Sequence, residues 1–365
     1  LCKRLAAFAS LLLVFGAAAT AAPPDVLDQS HPFVRAVMAA QAEVTEAWMQ
    51  QSEVLGTAVG LDASAAPVLV VYVDRESDNA SEVVRSFPAN VRGVSVRVEL
   101  TDKFRALARP SSGGGVDHKA KQTPPIKLGT SGGWRYDLAN GYCCGGTLGS
   151  LVSIDGAPYI LSNYHVLEAD TVSGGNQRTA LAGDPVIQPG LIDVSCVAEN
   201  AQNVATLSGI KSLPGSNVDA AIAKVMENMV SATGEILGIG TISSQTVGAS
   251  LNQKVKKSGR TTGLTRSTIS GLNATINITY DNECAGGEAF TQKFTGQIVI
   301  ANRGSKFLAG GDSGSLMVED IDSNARSVGL LYAGSSTSGI ANPIDEVLQF
   351  LKTATGATTV KMVGN

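Results

Sequence analysis

Hydrophobic and polar positions follow two periods along residues 25–108. Behind Ser30-His31-Pro32, the apolar residues Val34, Val37, Val44 and Trp48 keep helical intervals, which predicts a helix with one buried face. Val68 to Val73 is a continuous apolar run, as a strand covered on both faces requires. A short helical stretch follows around Ser81 to Phe87. Val94, Val96, Val98 and Leu100 then alternate with Ser95, Arg97 and Glu99, the period of a half-buried strand. Gly56 to Leu61 adds a further strand. Together these elements predict a small α/β unit that folds by itself and carries no evident catalytic cluster.

The pattern breaks over residues 109–126, where Gly113-Gly114-Gly115 cannot hold one conformation and Pro124-Pro125 stiffens the exit. Over residues 127–365 short apolar runs recur between Gly, Asn, Asp and Ser: Gly146 to Ile154, Pro158 to Leu161, Val218 to Val225, Ser267 to Tyr280, Gln297 to Ile300, Leu316 to Val318 and Ser327 to Tyr332. That spacing predicts a mainly β sandwich or barrel. One helix closes the chain, with Asn342 as its N-cap, Pro343 in the first position and Val347, Leu348 and Leu351 as its apolar face.

Charged residues make up only 16% of the chain, well below the roughly 25% of an average globular protein, which excludes a charge-solvated disordered chain. With 28 Lys+Arg against 32 Asp+Glu there is no basic excess to neutralise phosphates, so nucleic acid is not the expected partner. Residues 1–21 read as an export signal: Lys3 and Arg4 precede the apolar Leu5 to Phe15, and Ala19-Thr20-Ala21 supplies the small-residue cleavage site. The expected product, residues 22–365, is secreted or periplasmic and is not inserted in the membrane after cleavage.

Four cysteines remain after residue 21: Cys143, Cys144, Cys196 and Cys284. A bond between the adjacent pair would strain the disulfide torsion. The sequence therefore points to two long-range bridges, one of the two neighbours joining Cys196 and the other Cys284. No C-x-x-C is present, and His31, His118 and His165 have no paired spacing, so neither a metal nor another cofactor is expected.

Three segments carry chemistry. His165 lies just past the apolar Tyr159 to Leu161, Asp219 leads the apolar Ala220 to Ala223, and Ser313 sits within Leu308-Ala309-Gly310-Gly311-Asp312-Ser313-Gly314-Ser315-Leu316. Alone, each has an ordinary structural explanation. Together, in the order His, Asp, Ser, they form a set with complementary roles. A neutral serine hydroxyl is a poor nucleophile and needs a base to take its proton. Histidine has the pKa for that task, and a carboxylate on its far nitrogen fixes the tautomer and stabilises the imidazolium. A glycine-rich turn exposes backbone N–H groups, each worth roughly 3–4 kcal/mol toward an oxyanion.

From about residue 129 to 351 the chain resembles the trypsin-like (chymotrypsin-fold) serine proteases. Cys144-Gly145-Gly146-Thr147-Leu148 is similar to the family's C-G-G-[ST]-L strand, and Gly311-Asp312-Ser313-Gly314 matches its G-D-S-G nucleophile turn. Lys257-Ser258-Gly259-Arg260-Thr261-Thr262-Gly263-Leu264-Thr265 resembles second-barrel segments of microbial and plant members. The whole chain is similar to a bacterial branch related to plant narrow-leaf-type proteases. The resemblance implies two antiparallel β-barrels of trypsin-like type; the position of the small N-terminal α/β domain before them suggests either a propeptide or regulator, or a passive or partner-binding domain. It implies an endopeptidase acting on polypeptides through His165, Asp219 and Ser313, with the N–H groups of Gly311 and Ser313 as oxyanion hole. Counting back from Ser313 puts Phe307 on the floor of the specificity pocket, with Ala333 and Gly334 on the substrate-pairing strand. No acid occurs between Arg303 and Gly311, which implies a small or medium apolar residue before the scissile bond.

The chain departs from the family at several points. Val166 replaces the cysteine that usually follows the histidine. Tyr332 stands where a serine often supports the aspartate, which leaves the support of Asp219 open. No I-V-G-G-type terminus precedes the first barrel, so Asp312 is expected to hydrogen-bond locally. A different class of function, a protease-like binding module with a non-productive triad, draws its support from Tyr332. A lipase-type α/β-hydrolase fails on the order of its residues, and Gly238-Ile239-Gly240 is too short for a dinucleotide fingerprint.

Overall fold

The computed structural model describes residues 26–106, 116–139, 142–168, 178–280, 289–302 and 306–365. The export signal, the glycine-rich centre of the linker and Cys284 lie outside the described residues. The helix predicted behind His31 spans Pro32–Trp48, with proline at its start and the His31 ring accepting the Phe33 N–H at 3.3 Å. Val34, Val37 and Ala40 are buried on its inner face. Gln41, also buried, donates to Thr57 Oγ1 and to the carbonyl of Asn273. Strands Val54–Leu61 and Pro67–Asp74 pair antiparallel, the Ala80–Ser86 helix crosses over, and Val94–Thr101 returns parallel to Pro67–Asp74.

Two antiparallel barrels follow. In the first, Thr130–Trp134 pairs with Gly146–Leu148, which bends at Gly149 and continues as Ser150–Ile154. Pairing then passes through Ala157–Ser162, Ala221–Val225, Gln202–Leu207 and Pro185–Gln188 back to Thr130–Trp134. In the second, Lys254–Gly259 pairs with both Leu316–Glu319 and the long strand Gly263–Tyr280. Ser327–Gly334, Ser338–Pro343 and Phe290–Ala301 complete that ring. The mainly β fold with two barrels expected from the sequence is therefore present, and ring closure removes the open strand edges.

The N-terminal α/β unit is built onto the second barrel. Val54–Leu61 pairs antiparallel with Gly263–Tyr280, with Gly56 opposite Ile276 and Gly60 opposite Gly271. One sheet thus runs from the barrel into the N-terminal strands. The seam is tight, since a Cβ at Gly56 would lie 2.4 Å from the Thr275 carbonyl oxygen. Apolar packing also crosses between the barrels: Leu151, Ile160, Val204 and Ile222 share a cluster with Leu330, Tyr332 and Ala333. Each such fully buried aliphatic side chain contributes roughly 1.5–3 kcal/mol.

The last helix spans Ile344–Thr355 and ends at Gly356 in the left-handed region. Pro343 takes the cap position, with no side-chain capping bond, so Asn342 is not the N-cap expected from the sequence. Its amide is instead committed to a buried network described below. Among the described residues no helix is long and apolar enough to cross a membrane.

Candidate active site

His165 sits on a single helical turn, Tyr164–Leu167, that follows the Ala157–Ser162 strand. Asp219 lies just ahead of Ala221–Val225, the neighbouring strand, and the Ser162–Ala221 pairing brings the two together. The His165 Nδ1–Asp219 Oδ2 distance is 2.6 Å, with the carboxylate wholly buried. Its other oxygen accepts the Tyr164 N–H at 2.8 Å and the His165 N–H at 3.4 Å. The backbone of Asp219 is fixed as well: its N–H donates to Asn342 Oδ1, and its carbonyl accepts Asn163 Nδ2. These donors satisfy the hydrogen-bonding capacity that the buried carboxylate and its backbone lose on leaving water.

Ser313 occupies the turn before Leu316–Glu319. Gly311 and Gly314 have φ values of 93° and 88°, a conformation that side chains with a Cβ rarely adopt. At Gly314 a Cβ would also meet Ser162 Oγ at 2.2 Å and the Thr147 carbonyl at 2.3 Å. Thr147, from the Cys144–Leu148 motif, fastens the turn to the first barrel. Its N–H donates to the Ser313 carbonyl at 2.9 Å and its Oγ1 to the Gly311 carbonyl at 2.9 Å. Among the described residues the N–H groups of Gly311 and Ser313 have no acceptor. The Ser313 hydroxyl itself donates to the Tyr332 carbonyl at 3.3 Å, and His165 Nε2 has no hydrogen-bond partner. The fold thus joins the histidine and aspartate directly, while the serine hydroxyl is turned toward the Ser327–Gly334 strand.

Asp312 makes the local bonds expected of it. Its carboxylate accepts the N–H groups of Thr261, Thr262 and Ala309 at 2.8, 3.1 and 3.0 Å, and the Thr262 hydroxyl at 2.6 Å. It also pairs at 3.2 Å with Lys257 Nζ, and both side chains are fully buried. Lys257 donates as well to Thr262 Oγ1 and to the Gly263 carbonyl. An internal ammonium therefore meets the carboxylate beside the nucleophile. Sequence reasoning missed this pair: Lys254-Val255-Lys256-Lys257 reads locally as a charged surface run, and only the fold buries Val255 to Gly259.

The residue that supports Asp219 is Tyr280, which sequence reasoning missed. Its hydroxyl donates to Asp219 Oδ2 at 2.9 Å, and its ring stacks on Phe290 with centroids 4.8 Å apart. Burial, with the Asp219 charge adding to it, pushes this phenol well above its ordinary pKa. Tyr332 donates its hydroxyl to Gln297 Oε1 instead. That same oxygen accepts Asn342 Nδ2 at 2.6 Å, which links Tyr332 through Asn342 to the Asp219 backbone.

Other expected site residues are placed as follows. Phe307 is fully buried in an apolar cluster with Val255, Ile269, Met317 and Leu331. Ala333 and Gly334 lie one and two positions beyond Tyr332, on the Ser327–Gly334 strand. Cys143 is bonded to Cys196 and Cys144 is disulfide-bonded too; the expected role of Cys284 falls outside the described residues. Val166 packs in the core where the family's cysteine would stand. Among the described residues no group of three or more His, Cys, Asp or Glu side chains converges as a metal site requires.

Comparison with known proteins gives one family model, described as the Nal1 C-terminal domain, which matches residues 215–347. No curated protein matches the chain. Among solved structures, a glutamic acid-specific serine protease described as using a histidine triad in substrate binding is 19% identical; the match covers 65% of this chain and 100% of that one, with a TM-score of 0.41. Protease A of Thermobifida fusca is 17% identical over 66% of this chain and 99% of its own, with a TM-score of 0.42. Chymotrypsin of Cellulomonas bogoriensis is 18% identical over 66% and 99%, with a TM-score of 0.39. The chain is thus similar to bacterial serine proteases.

Proposed function

We propose that the chain is an exported serine endopeptidase, secreted or periplasmic, that hydrolyses polypeptides through His165, Asp219 and Ser313. The observation that carries this reading is the buried 2.6 Å bond between His165 Nδ1 and Asp219 Oδ2, on a turn that follows Ser162, the residue a Cβ at Gly314 of the Ser313 loop would meet. With Nδ1 held by the carboxylate, Nε2 is left to act as base. For this reaction the Ser313 hydroxyl, which bonds to the Tyr332 carbonyl at 3.3 Å, must turn to His165 Nε2. Ser313 Oγ then attacks the peptide carbonyl carbon while its proton passes to His165 Nε2. The N–H groups of Gly311 and Ser313 receive the oxyanion. Collapse breaks the C–N bond, the amine leaves with the proton from His165, and water hydrolyses the Ser313 ester by the same route. The relationship to plant narrow-leaf-type proteases belongs to this proposal, supported by the family model over residues 215–347.

A second reading, a protease-like binding module, is favoured by the Ser313 hydroxyl bonding to Tyr332 while His165 Nε2 has no partner. A fluorophosphonate probe separates the two. Labelling of Ser313 that disappears in His165→Ala supports the peptidase. Absence of labelling in the intact protein and in the protein cut within residues 109–115 would sink it.

A further inference from the structure

The edge of the Ser327–Gly334 strand beside the nucleophile already has a neighbour. Arg105–Ala106 pairs antiparallel with it, Ala106 opposite Ala333 and Arg105 opposite Gly334. On its other side the segment meets the long strand, with Arg105 opposite Thr279 and the Thr279 N–H donating to the Phe104 carbonyl at 3.0 Å. Both flanking positions adjoin the site. Thr279 precedes Tyr280, which holds Asp219, and Ala333 follows Tyr332, whose carbonyl takes the Ser313 hydroxyl. Antiparallel register makes the chain run from Gly334 toward Tyr332, with its carbonyl end advancing on Ser313. An extended peptide added to this edge would run in the same direction.

The segment is firmly seated. Phe104 is fully buried and meets the Tyr72 ring edge-on at 5.4 Å. Thr101 Oγ1 bonds to the hydroxyls of Ser335 and Thr337, and Asp102 accepts the Ser336 N–H at 3.1 Å. Ala106 is only 6% exposed and shares an apolar cluster with Tyr332 and Ala333. Tethering at both flanks makes its local concentration high compared with that of a free peptide.

We propose that Arg105–Ala106 is a resident peptide held on the Ala333–Gly334 edge, so that the intact chain blocks its own access to extended polypeptides. The blocking role rests on the peptidase reading; the occupied edge does not. The test therefore has a binding arm independent of catalysis. In a Ser313→Ala background, a fluorescent peptide copying residues 101–108 is titrated against the otherwise unaltered chain and against Ala106→Asp, with Ala106→Pro as a second way to lift the segment. Binding about tenfold tighter or more to the lifted forms is expected, because a site free only a tenth of the time loses that factor in apparent affinity. With Ser313 restored, kcat/KM on a polypeptide should rise by a similar factor, while fluorophosphonate labelling changes far less. Equal peptide affinity in all forms, or binding to none, would overturn the proposal. Tighter binding with no labelling of any form would uphold the occupied edge and sink the peptidase reading alone.

Discussion

Tyr280 Oη lies 2.9 Å from Asp219 Oδ2, the same oxygen that faces His165 Nδ1 at 2.6 Å. One carboxylate oxygen is thus shared between a phenol and the imidazole it orients. The phenol is a dependable donor, because burial and the Asp219 charge both raise its pKa and keep its proton on. The Tyr280 ring also lies at a steep angle to the His165 ring, with centroids 5.9 Å apart. Tyr280 is therefore a positioning residue acting through Asp219.

Tyr280→Phe keeps the stack on Phe290 and removes only this bond. A hydrogen bond to a charged group is worth roughly 1.5–3 kcal/mol, so kcat should fall by about one to two orders of magnitude. KM should move little, and the thermal midpoint should drop by several degrees. Steady-state kinetics on a peptide substrate checks this, and a change confined to KM would contradict the positioning role.

Asp219→Asn should be far more damaging. An amide cannot accept from Tyr164 N–H, Tyr280 Oη and His165 Nδ1 together, since one of its heavy atoms is itself a donor. His165 would be driven to the tautomer with Nε2 protonated, unable to take the Ser313 proton. A loss in kcat of about 10⁴ is expected, with circular dichroism unchanged. Retention of a tenth or more of the activity would show that Asp219 does not orient the base.

His165, Asp219 and Ser313 stand out in the sequence as candidates because each sits in a short local pattern, an apolar strand end or a glycine turn. The spacing of apolar runs made the mainly β character legible, while the two barrels followed only from the motif resemblance around Cys144 and Ser313. What supports the triad was hidden by distance along the chain. Tyr280 ends an 18-residue strand and reaches Asp219 from 61 residues away. Asn342 reads locally as a helix cap, but the buried Asp219 N–H and Gln297 leave its amide committed elsewhere. Phe307 is placed by counting from Ser313, and counting does not reveal that its ring is buried among Val255, Ile269, Met317 and Leu331. The addition of Val54–Leu61 to Gly263–Tyr280 was equally invisible, since strand partners so far apart leave no local trace.

Glu168 follows the His165 turn and is 1% exposed, with no hydrogen-bond partner for Oε1 among the described residues. Burial raises its pKa from 4.5 to about 8, against the opposing pull of Lys211 and a bond from the Ile210 backbone. The folded state therefore holds this proton more tightly than the unfolded chain does. Its contribution to stability is full below about pH 4.5 and is lost as pH rises through about 8. Glu168→Gln, which keeps the neutral shape, should flatten the fall in thermal midpoint between those limits. An identical slope in both proteins would show that Glu168 does not titrate in this range.

Lys257 and Asp312 form an ion pair 3.2 Å apart with neither side chain exposed, directly beside Ser313. Desolvating two charges is costly, and the pair is tolerated because Thr261, Thr262, Ala309 and Gly263 satisfy what remains of their bonding capacity. Lys257→Met would leave the Asp312 carboxylate buried with backbone and hydroxyl donors but no counter-charge, at a cost of about 3–5 kcal/mol. The carboxylate would then draw the turn toward solvent, and the Gly311 and Ser313 N–H groups would lose their common aim. Fluorophosphonate labelling of Ser313 should fall together with stability to urea. Adding Asp312→Asn removes the orphaned charge, so the double variant should recover part of the stability, as contacting residues do in a double-mutant cycle. It should not recover the labelling, because an amide cannot accept every bond the carboxylate accepts in the turn. Strictly additive losses in stability would mean that the two side chains are not coupled.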